Sequence, residues 1–258
     1  MPEKQPYPDD LDKRFASCAH DLARKKLEEA LVRQPNQLLP QKTLLERYTK
    51  ELSQEFTSYK ARQVRGASKL AFALEELAKE QPELFSADVI EGINRIGNLS
   101  SLAAKDEQTI ITRLENGSTL QEIAQVSDEV IETLYQAAKR LYDKKLYDDA
   151  ADIFGFVIGL NPSNYAIWLG LANAQYMLGN FQEAIIALEN VCKATPNDPA
   201  CHLTASRCYA ELGQLDKAIV ALELSLAAIK ESQVCLDWKS GIEQEKMHLQ
   251  QMLHSIRD

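Results

Sequence analysis

The sequence is poor in the two residues that most often interrupt helices, because only 10 of its 258 residues are glycine and 9 are proline. An all-β protein with many tight turns needs more of both, so this composition favours helices. Long apolar runs are also lacking, and the longest, IFGFVIGL, covers residues 153–160. A membrane-spanning helix needs about 20 apolar residues. We therefore expect no stable insertion into a membrane.

The cysteines are few and scattered. There are five, an odd number, and no two form a CxxC pair. This usage is typical of a reducing compartment rather than of a disulfide-stabilised secreted domain. The first ten residues, MPEKQPYPDD, are acidic and rich in proline, unlike a secretory signal. Both observations predict a cytoplasmic protein.

Negative charge is concentrated in the second half of the chain. Residues 1–115 hold 18 basic and 19 acidic side chains, whereas residues 116–258 hold 11 and 19. An acidic surface repels the phosphate backbone of nucleic acids. We therefore expect no nucleic-acid partner for the second half.

Sequence motifs of common catalytic sites are lacking: there is no GxGxxG or Walker-type loop, no HExxH and no GxSxG. One cluster, Cys201, His202 and Cys208, could suggest a metal site. On one helix, however, residues 201 and 208 would lie about 10 Å apart, too far to share an ion. Packing of small buried side chains is the simpler interpretation. We expect no catalytic residues, no metal, no cofactor and no enzymatic activity, although an unrecognised site within residues 1–115 stays an alternative.

The sequence repeats when it is aligned with itself so that Ala150 falls on Ala184, an offset of about 34 residues. Four sets of residues are in step: small residues at Ala138, Ala172 and Ser206; alanines at Ala150, Ala184 and Ala218; the series Tyr147, Phe181 and Leu215; and prolines at Pro162 and Pro196. A period of about 34 residues, with small residues where two helices cross, is typical of the tetratricopeptide repeat. The sequence thus predicts an all-α solenoid of three helix pairs.

Helices are also predicted outside the repeats. Apolar residues at helical spacing mark the segments 11–33, 43–64, 67–80, 87–96 and 99–114. A capping box formed by Thr119 and Glu122 starts a further helix, and Asp198-Pro199 starts another. We divide the chain into an N-terminal helical region (1–115), the repeats with their preceding helix (116–230) and a C-terminal capping helix (231–258).

The first helix of each pair carries the candidate binding residues. In stacked repeats these helices line the concave surface, and residues three to four apart share a face. Counting from Ile131, that face carries the following residues: Tyr135, Lys139 and Tyr142, then Leu169, Asn173, Tyr176 and Met177, then Leu203 and Arg207. Such a mixture suits an extended peptide with hydrophobic anchors. The alternative is that the chain's own terminal helices cover some of these residues.

Three stretches carry a family resemblance: TLQEIAQVSDEVIETLYQAAKRLYDKKLYDDA, WLGLANAQYMLGNFQEAI and SRCYAELGQLDKAI. They resemble the class II chaperones of bacterial type III secretion, the SycD/LcrH-type proteins. The resemblance covers about residues 116–230, and the helix after it resembles the capping helix of that family. It implies a cytoplasmic chaperone whose groove holds an extended segment of hydrophobic translocator proteins before export. By matching position, it assigns Tyr135, Tyr142, Leu169, Asn173 and Tyr176 to the groove.

One departure from the family is the long segment before the TLQEI helix. Family members have a short one, whereas this chain has about 115 residues there. A second client-binding module, a dimerisation arm and a cover for the groove are all compatible with it. Because the N-terminal helix of the family mediates dimerisation, the resemblance leaves a homodimer open. The alternative function is a generic tetratricopeptide scaffold that binds another peptide partner.

Overall fold

The computed structural model describes residues 23–24, 41–99, 107–233 and 235–257. The chain falls into two compact units, Met1–Val64 and Arg65–Asp258. In the described residues all regular structure is helical, without strands, which confirms the all-α prediction. None of the described helices combines the length and apolar character that a bilayer-spanning segment requires.

The helices before the repeats are α1 (Gln41–Glu80), α2 (Ala87–Gly97), α3 (Glu107–Glu115) and α4 (Leu120–Ile123), with a 3-10 turn at Pro82–Leu84. The prediction of two helices, 43–64 and 67–80, was wrong, because α1 runs through Arg65 and Gly66 without a break. The predicted segment 11–33 lies outside the described residues except at Ala23 and Arg24. The end of α1 before Gln81-Pro82 and the segment 87–96 were predicted correctly.

The repeats form six helices: α5 (Asp128–Asp143), α6 (Tyr147–Leu160), α7 (Tyr165–Met177), α8 (Phe181–Ala194), α9 (Pro199–Glu211) and α10 (Leu215–Ser232). The second helices begin at Tyr147, Phe181 and Leu215, and the first helices end at Asp143, Met177 and Glu211, so both boundaries recur with the period of the sequence. A last helix, α11 (Lys239–Arg257), packs on α10.

Small residues explain how each helix pair packs. The alanines at 150, 184 and 218 and the small residues at 138, 172 and 206 have no exposed surface. A larger side chain there would force the crossing helices apart. Ser206 also satisfies its hydroxyl group, which donates to the backbone oxygen of Ala218 at 2.9 Å. The predicted caps are present too: Thr119 and Glu122 form a capping box, and Asp198 accepts from the backbone N–H of Ala200.

The turn inside each helix pair needs a left-handed residue. Gly179 and Gly213 have φ of +76° and +70°, and Lys145, in step with them, has +64°. Glycine adopts this conformation without cost, whereas a residue with a Cβ is strained there by about 1 kcal/mol. The first repeat thus differs from the others in holding a strained turn.

Replacing Lys145 with glycine should stabilise the protein by about 1 kcal/mol, because the strain is removed and the lysine side chain is exposed. The measurement is the midpoint of urea unfolding. Gly179→Lys, the reverse change at the equivalent turn, should lower that midpoint. A lower midpoint for Lys145→Gly would contradict the strain argument.

The C-terminal half of α1 packs on the first repeat. Leu70 and Leu77 are buried in the same core cluster as Leu134 of α5 and Ile153 of α6. At Gly66 the backbone of α1 comes so close that a Cβ would lie 2.6 Å from the Cβ of Phe156. The boundary predicted at residue 115 therefore falls inside the second compact unit.

A buried carboxylate marks this contact. Asp152 of α6 is 5% exposed. Its oxygens accept hydrogen bonds from Arg65 Nε at 3.0 Å and from Lys69 Nζ at 2.8 Å. Burial raises the pKa of Asp152, but the hydrogen bonds from Arg65 and Lys69 lower it by a larger amount in total. The pKa of Asp152 therefore lies below its ordinary value. Asp152 is thus charged and paired at neutral pH.

Candidate peptide-binding surface

The predicted groove residues fall into three rows, because each row repeats one position of α5, α7 and α9. The first row is Tyr135, Leu169 and Leu203; the second is Lys139, Asn173 and Arg207; the third begins with Tyr142 and Tyr176. Apolar or aromatic residues therefore stand on both sides of a polar row. An extended peptide needs such an alternation, since its side chains require pockets and its backbone requires polar partners.

The third row is held by a repeated aromatic pair. The ring of Tyr142 meets Tyr147 edge-on, with centroids 5.2 Å apart. One repeat later, Tyr176 meets Phe181 in the same way at 5.7 Å. Edge-to-face pairs of this kind are favourable and fix the ring positions. Tyr147 is half-buried and supports a predicted groove residue.

Tyr135, in the first row, lies on the repeat core. Its ring is 5.7 Å from that of Phe154, which is 2% exposed. Burial raises the pKa of Tyr135, and burial likewise raises the pKa of Tyr142. Both phenols are therefore protonated at neutral pH and able to donate a hydrogen bond.

Two members of the polar row form ion pairs at the surface. Lys139 donates to Asp143 at 3.0 Å, one turn along α5. Arg207 lies 3.8 Å from Glu245 of α11. Exposed pairs of this kind contribute little to stability and are readily exchanged for other partners. Asn173, between them, is half-buried.

Two further predicted residues differ in accessibility. Met177 is 47% exposed, whereas Leu203 is 8% exposed and shares a core cluster with Ile242 and Leu249 of α11. Leu203 is therefore core, and its side chain is not available as a surface anchor. The C-terminal helix thus extends the core where the sequence suggested a continuing groove.

A depression of about 740 Å³ lies elsewhere, at the N-terminal ends of α2 and α5. Its polar lining includes the acidic residues Glu83, Asp128, Glu129 and Glu132. None of the predicted groove residues lines it. It combines no base with these acids in a way that would suggest catalysis, so we assign it no role.

A second polar cluster joins α8 and α9. It contains Cys192, Cys201 and His202, whose ligand atoms lie within 4.8 Å of one another. Cys208, which the sequence suggested as a neighbour of Cys201 and His202, is buried and is not part of the cluster. Hydrogen bonding with the Cys201 thiol group and the contact with His202 lower the pKa of Cys192 to about 5. Cys192 was missed because it lies on the preceding helix.

Comparisons of the sequence with known proteins agree on the repeat region. Tetratricopeptide-repeat family models match residues 135–199 and residues 179–234. The Low calcium response locus protein H of Yersinia pestis is 25% identical over 112 residues, which are 43% of this chain and 67% of the relative. The same protein from Yersinia pseudotuberculosis matches equally well.

Solved structures with the same fold extend beyond the repeats. A T3SS complex from Aeromonas hydrophila matches with a TM-score of 0.54 and 21% identity, over 57% of this chain and 97% of that chain. The CopN–Scc3 complex matches with a TM-score of 0.50 and 22% identity, over 69% of this chain and 99% of that chain. At these identities the similarity establishes the fold.

The family models that match are tetratricopeptide repeats, a binding module, in agreement with the expectation that this chain is not an enzyme. From residue 135 onward, the repeat models cover the stretches in which the family resemblance was found. Residues 135–234 therefore belong to the tetratricopeptide repeats, and the chain resembles the SycD/LcrH-type chaperones of type III secretion, as its sequence predicted.

Proposed function

We propose that this protein is a cytoplasmic chaperone of type III secretion. It binds an extended segment of a hydrophobic translocator protein along α5, α7 and α9 and keeps that client soluble before export. The observation that carries the proposal is the arrangement of three rows, in which half-buried aromatic rings flank a polar row. The client class is what the resemblance to the SycD/LcrH-type chaperones implies, and the match to the Yersinia protein H supports that resemblance.

The rings are suited to act as anchors because the fold already holds them in place. Tyr142 and Tyr176 each rest edge-on against a second ring, and Tyr135 rests on Phe154. A client side chain that packs on them would therefore cost little ordering of the chaperone. Lys139 and Asn173 stand between the rings, where they can bond the client backbone.

Replacing Tyr135 and Tyr142 together with alanine should weaken client binding more than tenfold. Aromatic anchors of this kind typically contribute about 2 kcal/mol each, and part of that loss is enough for the effect. The measurement is the affinity for overlapping peptides from translocator proteins of the same secretion system. Binding is measured well below the unfolding temperature of the variant, because Tyr135 also contacts Phe154.

Ile186→Ala is the matched control, since Ile186 is an apolar residue of α8 with 53% exposure and is not in any of the three rows. It should bind the peptides as the wild type does. If the tyrosine variant binds as tightly as this control, the three rows are not the binding surface. If co-expression captures a partner that is not a translocator, the protein is instead a general tetratricopeptide adaptor.

A further inference from the structure

The cluster at the junction of the second and third repeats has an equivalent one repeat earlier. Because the chain repeats at a fixed period, each cluster residue can be compared with its counterpart in the preceding junction. Ile158, Ile167 and Trp168 stand where this junction has Cys192, Cys201 and His202. All three apolar residues have thus been exchanged for residues that bind metals. Helix packing alone does not require this, since the preceding junction packs with the apolar set.

The orientation of His202 fits a metal ligand. Its Nε2 lies 2.8 Å from the backbone oxygen of Pro196, which can only accept, so Nε2 carries the proton. In the neutral ring the lone pair is then on Nδ1, which faces Cys192 Sγ at 3.8 Å. Histidines that bind metals usually donate their other N–H to a carbonyl or carboxylate in this way.

Distances within the cluster are close to those of a tetrahedral site. With zinc–sulfur bonds of about 2.3 Å and zinc–nitrogen bonds of about 2.0 Å, neighbouring ligand atoms lie roughly 3.5–3.8 Å apart. The distance from Cys192 Sγ to His202 Nδ1 already agrees. The two sulfur atoms, 2.6 Å apart, have to separate by about 1 Å to admit the ion. That movement is within the reach of side-chain rotation at the half-buried Cys192.

We propose that Cys192, Cys201 and His202 bind one Zn²⁺ ion, with water in the fourth position. Two thiolates and an imidazole are a ligand set that favours zinc over the oxygen-seeking cations magnesium and calcium. A thiol that is protonated before binding releases its proton to solvent as the metal–sulfur bond forms. The site would join α8 to α9 and therefore fasten the second repeat to the third.

The test uses the full chain, stripped of metal by a chelator and kept reduced with a phosphine. Co²⁺ is added as a visible probe, because tetrahedral cobalt with thiolate ligands absorbs strongly, and Zn²⁺ is then titrated to displace it. We expect one cobalt per chain, replaced by one zinc. Zinc binding should also raise the unfolding temperature, since an ion that binds only the folded state stabilises it.

Two ligand variants and one control variant separate the metal site from simple packing. His202→Trp copies the preceding repeat, where the indole of Trp168 donates to the Pro162 oxygen at 2.8 Å, so it keeps the carbonyl bond but loses Nδ1. It and Cys192→Ser should each weaken zinc binding at least about 100-fold. Cys208→Ala is the control: Cys208 lies on the same helix as Cys201 but outside the cluster, and the preceding repeat has alanine at the equivalent position, Ala174. This variant should bind zinc as the wild type does.

The proposal is wrong if the reduced chain takes up no cobalt, or if His202→Trp binds zinc as tightly as the wild type. It is also wrong if air oxidation consumes two thiols as a Cys192–Cys201 disulfide while the reduced form shows no zinc affinity. The cluster would then be a dithiol pair. Circular dichroism of each variant shows whether the helices are intact, so that loss of binding is not mistaken for unfolding.

Discussion

Replacing Phe154 with alanine is expected to lower the free energy of unfolding by about 3–5 kcal/mol, the cost of a large buried cavity. The ring lies where α5, α6 and α7 meet. It contacts Tyr135 on one side, and on another it fills the space beside Gly170, where a Cβ would lie 2.6 Å from it. Because three helices share this one side chain, they cannot collapse independently to fill the cavity.

The measurement is the urea dependence of helicity followed by circular dichroism. Phe154→Leu is the matched control, and it should lose clearly less because a leucine fills part of the same volume. A Phe154→Ala variant within about 1 kcal/mol of the wild type would show that the first two repeats do not pack through this ring.

The second large effect is expected where α1 meets the first repeat. Changing both Arg65 and Lys69 to methionine removes the cations that pair with Asp152 and leaves its carboxylate buried alone. Losing one side of a buried pair costs about 3–5 kcal/mol. Because half of the Arg65 side chain is exposed, solvent screens its share, and we expect a loss of about 2–3 kcal/mol at pH 7.

The contribution of Asp152 to stability should depend on pH in opposite directions in the wild type and in the double variant. In the wild type the pKa of Asp152 is lowered, so its pairing stabilises the fold above the ordinary carboxyl pKa of about 4 and is lost as pH falls through the lowered value. In the double variant, burial without partners raises the pKa. The variant should then become more stable, relative to the wild type, as the pH falls from 7 toward 4.

Adding Asp152→Ile to the double variant should recover most of the lost stability, because a buried ion pair can often be replaced by apolar residues at little cost. Lys79→Met, which breaks only the exposed pair with Glu76, should leave stability close to that of the wild type. If the triple variant is no more stable than the double one, the stranded charge is not the cause of the loss.

The sequence predicted the repeats well because their determinants are local and periodic. Small residues at crossing points and the turn positions recur once in every repeat, so one register accounts for both boundaries of the helix pairs. The break expected near Gly66 was wrong for a physical reason. Glycine in a helix costs about 1 kcal/mol, but here its missing side chain allows α1 to approach α6 closely.

Contacts between distant segments of the chain are harder to predict from the sequence than the repeats are. Arg65 and Asp152 are 87 residues apart, and neither shows its partner in the local pattern. Comparison between the repeats would have identified Asp152 as unusual, since the residues in step with it are the apolar Ile186 and Val220. In the structure those two side chains are 53% and 54% exposed, whereas Asp152 is buried. The same comparison would have drawn attention to Cys192. Which helix covers Leu203 is not a property of its own repeat, so its burial could not be predicted.

The buried Asp152 also has a consequence for selectivity. A shift of α1 by one residue would turn its side chains by about 100°. Arg65 and Lys69 would then leave the carboxylate, and a side chain in place of Gly66 would meet the α6 backbone. The second and third repeats carry the apolar residues Ile186 and Val220 at this position, so neither offers the carboxylate that both cations share in the first repeat. The pairing therefore assigns α1 to one repeat and one register, and it excludes the near-equivalent sites that a repetitive protein otherwise offers.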